Sequence, residues 1–119
     1  MKVLVGVDDS ENAVEALDWA LDRAAAAGDE VAVVVVEGEG DDAVESRVRE
    51  RIASVNREVD VRHVGPTEAG STLVNIAGRG DYDEIVLGGG ERSPMGKIRL
   101  GDVREFVILN ADVTVTLVR

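Results

Sequence analysis

At 119 residues, 45% of them apolar and 31% charged, the chain has material for one compact domain with a real core and too little for two independent ones. Its 24 acidic residues against 13 basic ones leave a net charge of -11, which excludes nucleic acid as a default partner, because binding a polyphosphate needs a basic face that displaces counterions. The absence of cysteine and the single histidine remove thiol nucleophiles, disulfides, iron-sulfur clusters and Cys/His zinc sites.

The first element is a strand, Val3 to Val7, apolar on both parities as a strand covered by helices on two faces must be. From Ser10 the period changes: Val14, Leu17, Leu21 and Ala24 form a helical stripe, Trp19 is expected to fill core volume beside it, and Gly28 ends it. Val31 to Val36 is a second buried strand. Val44, Val48, Ile52 and Val55 then stripe a second helix, with Asp42 and Glu45 at capping-box spacing. A weaker strand, Val59 to Val64, leads through Gly65-Pro66 to a third helix begun by Thr67, with Ala69, Leu73, Ile76 and Ala77 inward and Gly78 and Gly80 closing it. Ile85 to Leu87 is a fourth strand running into Gly88-Gly89-Gly90. After a polar loop comes a short helix with Val103, Phe106, Val107 and Leu109, then a last strand, Val113 to Val118.

Five strands alternating with four helices predict an α/β fold, a doubly wound five-stranded parallel sheet with helices on both faces in one domain over 1–119. Function is then expected at the carboxyl ends of the first and fourth strands, next to the switch point. The apolar runs are far shorter than the ~20 residues that span a bilayer, and Asp8-Asp9 interrupts the first before a signal peptide could form. A cytoplasmic protein with no membrane partner is expected, its acid excess suited to a salt-rich, halophilic setting.

Asp8-Asp9 follows the first strand and begins a helix, where acids serve as caps; alternatively Asp8 lines an adenosine pocket. A phosphorelay receiver is rejected, because the third strand ends in His63-Val64-Gly65 rather than an acceptor aspartate, and no lysine ends the fifth. The second candidate is the loop from Gly88 to Val103. Gly88 and Gly90 let backbone N–H groups approach a phosphate, and Arg92, Lys97 and Arg99 make a basic island on an acidic molecule. The bland alternative is a flexible connection. It is not a Walker A loop, since Glu91 and Ile98 stand where glycine and Ser/Thr belong, nor a dinucleotide fingerprint, which lacks its third glycine.

The opening Val3-Leu4-Val5-Gly6-Val7-Asp8-Asp9-Ser10-Glu11, the helix with Ala16-Leu17-Asp18-Trp19-Ala20, the Gly65-Pro66 step, Tyr82 to Gly88 and the spaced Gly88…Gly101 together resemble the universal stress protein family, end to end. The resemblance implies a Rossmann-like fold of the adenine nucleotide alpha hydrolase type and a homodimer paired through the last strand. Its ATP-binding branch carries Gly-x2-Gly-x9-Gly-(Ser/Thr); here Gly88 and Gly101 match the first and third glycines, while Glu91 replaces the second and Asp102 the Ser/Thr. A carboxylate at Asp102 accepts only and repels a phosphate. With Glu105 it also reads as a capping box that satisfies the helix N–H groups itself. By resemblance, Val7, Asp8 and Val36 line the adenine and ribose end, and ATP or AMP with Mg²⁺ is the cofactor left open.

The edge-like last strand, β-branched and without internal charge, is an aggregation hazard unless covered, and a second copy would cover it. The tripeptide Arg79-Gly80-Asp81 and the acids Glu37, Glu39, Asp41 and Asp42 carry no adhesion or calcium assignment, and His63 is structural. The expectation is a stress-response binding and regulatory module with no turnover and weak or absent ATP binding. The alternative is a nucleotide switch with slow ATP hydrolysis, for which Asp8 and Asp102 alone could serve; a flavoprotein-like subunit is disfavoured for want of room for FAD.

Overall fold

The computed structural model describes residues 1–8, 11–36, 43–55, 58–65, 67–88, 91–92, 98–99 and 101–118. The elements are β1 Lys2–Val7, α1 Glu11–Ala27, β2 Glu30–Val36, α2 Ala43–Ala53, β3 Asp60–Val64, α3 Ala69–Arg79, β4 Glu84–Gly88, β5 Glu91–Arg92, β6 Ile98–Arg99, α4 Gly101–Asn110 and β7 Thr114–Val118. Five of the strands form one sheet in the order β3-β2-β1-β4-β7, every neighbouring pair parallel. This is the doubly wound Rossmann-like architecture expected from the alternation. The segment expected as a plain polar loop after β4 instead contains the antiparallel pair β5-β6, with Glu91 opposite Arg99. Two-residue strands are too short to show a period in sequence.

The two parities of the central strands feed two separate cores. Val3, Val5 and Val7 of β1 and Val31, Val33 and Val35 of β2 pack under α1, with Val48 of α2. Leu4, Val34, Val36, Ile85 and Leu87 pack under α3 and α4, against Leu73, Ala77 and Val107. The apolar residues on both parities are thereby accounted for, since each strand is covered twice. Among the described residues no helix is long and apolar enough to cross a membrane.

One expectation about packing is corrected. Trp19 is not core filling: it is 37% exposed and stacks on the Arg23 guanidinium, whose carbon lies 4.4 Å from a ring centroid. In α4 Val107 is fully buried, while Phe106 and Leu109 are 41% and 74% exposed; the helix packs against α3. The α3 contact is close: Phe106 lies against Gly70, where an added Cβ would come 3.0 Å from it.

A buried ion pair ties α1 to the sheet edge. Glu84, at the start of β4 and 4% exposed, accepts both terminal nitrogens of Arg23 and the hydroxyl of Thr116 on β7. The edge strand itself is only half-buried beyond Thr114, and among the described residues it pairs with β4 on one side only.

Candidate ligand-binding site

The sheet order reverses between β1 and β4. β1 leads into α1 on one face, and the chain after β4 leads into α4 on the other, so the connections part above the two strand ends and leave a crevice. Asp8 directly follows β1, Val36 ends β2, Gly88 ends β4, and Val103 and Arg104 belong to the first turn of α4. These residues meet in one cleft, together with Gly6, Leu73 and Leu87. The cleft is nearly closed: its cavity is about 10 Å³, room for at most one water.

Arg104 closes it. Its Nη2 lies 3.0 Å from Asp8 Oδ2, and its Nε donates to the carbonyl oxygen of Gly88. The Arg104 side chain is 12% exposed and that of Asp8 27%, so the pair is largely shielded from water and stronger than a surface ion pair. The guanidinium thus bridges the ends of β1 and β4 from α4. No reading of the Gly-rich loop pointed to Arg104. The available signal was its position three residues before the buried Val107, which puts a cation on the inward stripe of an otherwise apolar helix face.

Gly88 has a packing reason to be glycine. A Cβ there would meet the backbone of α1 at 2.8 Å, at both Asn12 C and Ala13 N. The β4 end and the start of α1 therefore touch main chain to main chain. Val7, placed by resemblance at the adenine end, is fully buried in the core under α1. Asp102 lies inside the first turn of α4, which begins at Gly101, and not at the position before it where a capping residue stands. Its side chain is exposed and lines a different space, a groove of about 170 Å³ between α3 and α4 with Thr67, Ser71 and Phe106. Val103 borders both spaces. The structure therefore brings Asp8, Val36 and Gly88 together and sets Asp102 beside them, not among them. Gly90 and Lys97 lie outside the described residues, as do the side chains of Arg92 and Arg99; Arg92 is in β5, and Gly101 opens α4.

His63 Nε2 stands 3.5 Å from Glu45 Oε1, which also accepts from Arg49, a surface arrangement between β3 and α2. Among the described residues no three His, Asp or Glu side chains converge as a metal-binding set.

The model of the Universal stress protein family (Usp) matches residues 1–119. No curated protein matches the chain. A universal stress protein from Archaeoglobus fulgidus is 27% identical, with a TM-score of 0.73 over 100% of this chain and 98% of its own. A universal stress protein solved in complex with cAMP is 24% identical, with a TM-score of 0.74 over 100% and 96% of the two chains. Another Archaeoglobus fulgidus structure, in complex with dAMP, is 24% identical, with a TM-score of 0.68 over 100% and 98%.

Proposed function

This chain belongs to the universal stress protein family, with its general role in stress response, and from that premise we propose that it is a cytoplasmic, homodimeric binding and regulatory module with weak or absent ATP binding and no turnover of its own. The observation that carries this reading is the Asp8–Arg104 bridge across a cleft of about 10 Å³. A charge-assisted pair of this kind contributes about 2 kcal/mol, so a ligand that displaces it without replacing its contacts loses about 30-fold in affinity. A triphosphate reaching toward the start of α4 would in addition come near the negative charge of Asp102 in its first turn.

Isothermal titration with ATP and Mg²⁺ at high salt is the test. The expected result is a Kd weaker than about 1 mM for the wild type and a several-fold gain in Asp102→Ser, which removes one negative charge and restores a hydroxyl donor. Tight wild-type binding accompanied by phosphate release would establish the alternative, a nucleotide switch with slow ATP hydrolysis.

The homodimer follows from β7, whose β-branched edge has β4 on one side alone. Light scattering at micromolar concentration is expected to return twice the chain mass. A monomeric mass would remove the dimer and leave the cleft reading intact.

A further inference from the structure

The groove between α3 and α4 lies beside the Asp8–Arg104 cleft and has a different character, apolar at its floor and acidic at its rim. Both helices meet it with their early turns, α3 through Gly70 and Ser71 and α4 through Val103 and Phe106. Phe106 rests on Gly70, whose missing Cβ lets the ring approach α3, and it stays partly exposed. One turn on, Leu109 is the most exposed large apolar side chain among the described residues. Two apolar anchors thus stand one turn apart beside a hollow of about 170 Å³, roughly the liquid volume of five waters and enough for one bulky side chain. Around them the charge has one sign. Asp102 lines the groove, Glu68 immediately precedes α3, and Glu105 stands one turn before Leu109, all three exposed. None of them takes part in an ion pair among the described residues, and no basic residue is among the described residues that line the groove. The two helix starts offset about half a charge each, which leaves the rim negative.

We propose that this groove docks a basic amphipathic helix of a partner protein: one bulky apolar side chain enters the hollow beside Phe106, a second rests on Leu109, and Lys or Arg residues meet Asp102, Glu68 and Glu105. This rests on the reading of the chain as a binding module and names what the module binds. A helix fits because it repeats apolar residues every three or four positions, the spacing of Phe106 and Leu109, and because a ridge of side chains laid between two helices is how helices ordinarily pack. Charge then selects the class of partner. A second copy of this chain would bring a net charge of -11 against an acidic rim. Nucleic acid and anionic lipid are repelled for the same reason. A basic helix is attracted by the rim and held by the anchors, since exposed rim charges steer association while desolvated apolar contacts supply most of the affinity.

The experiment is amide NMR of the full, isotope-labelled chain in about 0.15 M potassium chloride. The probes are a peptide of about 18 residues of Leu, Lys and Ala with its leucines on one helical face, and a scrambled peptide of the same composition. The amphipathic peptide is expected to shift amides centred on Gly70, Ser71, Val103 and Phe106 with a Kd below about 100 μM, and the scrambled one to bind at least about tenfold more weakly. Leu109→Ser, at a position too exposed to disturb the fold, and Phe106→Ala are each expected to weaken the amphipathic peptide at least about fivefold. Equal binding of the two peptides overturns the proposal, as do shifts centred on the acidic outer face of α1 at Glu15 and Asp22. Binding to Leu109→Ser as tight as to the wild type also overturns it. A mass above the dimer in light scattering without peptide gives the groove to a second copy and overturns the assignment of the partner. Absence of peptide binding overturns the proposal and leaves the module reading in force, whereas release of phosphate from ATP overturns the module reading whatever the peptide does.

Discussion

Arg23→Met is expected to lower the melting temperature by about 10 °C, the larger of the effects that follow from the packing. Glu84 is almost wholly buried, with a side chain 5% exposed, and Arg23 supplies its counter-charge through two nitrogens. Removing one partner of a buried pair costs about 3–5 kcal/mol, because a charge is left without compensation in a medium that solvates it poorly. The lower end applies, since Arg23 is 31% exposed and Thr116 continues to donate to Glu84. About 3 kcal/mol in a domain of this size corresponds to the stated shift. The double variant Arg23→Met, Glu84→Leu is expected to recover most of the loss, because two apolar side chains ask for no compensation. A shift below about 2 °C for the single variant, measured by circular dichroism at neutral pH, would mean that the pair is not what ties α1 to the sheet edge.

Gly88→Ala is expected to cost about 3 kcal/mol, and more than Gly6→Ala. The added methyl would sit 2.8 Å from Asn12 C and Ala13 N, atoms of main chain that no rotamer change can move. The first turn of α1 must lift from the end of β4, and overpacking of that kind costs about 1–3 kcal/mol or somewhat more. At Gly6 the nearest atom is closer still, Leu87 Cδ2 at 2.7 Å, but it is the end of a flexible side chain that can turn aside. Urea melts of the two variants decide the matter: a Gly6→Ala loss equal to or larger than that of Gly88→Ala would show that the contact between the helix start and the strand end gives way more readily than its geometry implies. The comparison separates a packing role of Gly88 from a ligand role, since neither melt contains ligand.

Much of the fold was legible because its signals are local. Val3 to Val7 and Val31 to Val36 are apolar at every position or nearly so, and only a strand covered on both faces has use for that pattern. The stripe of Leu17, Leu21 and Ala24 similarly marked the face of α1 that the core receives. The apolar residues of α4 divide between Val107, which is fully buried, and Phe106 and Leu109, which are exposed, a division that spacing alone does not give. Trp19 misled: hydrophobicity predicts burial, but a ring beside an arginine gains enough from stacking on it to remain at the surface.

The candidate site divides in the same way. Asp8 after the first strand and Gly88 after the fourth were recognisable from the sequence, because strand ends and the switch point are properties of element order. That Arg104 from the last helix meets Asp8 near the start of the chain could not be read from spacing, since an ion pair between distant segments depends on the angle at which α4 lies over β4 and on the rotamers that angle permits. Nor could the separation of Asp102 from the cleft, which turns on where the first turn of α4 begins. By itself the sequence determined the order of elements, the two-faced core and the end of the sheet where the switch point opens, because periodicity and turn chemistry act over a few residues. Which charge fills the cleft and which stands outside it was decided only in three dimensions, where side chains from remote segments compete for the same few ångströms of shielded space.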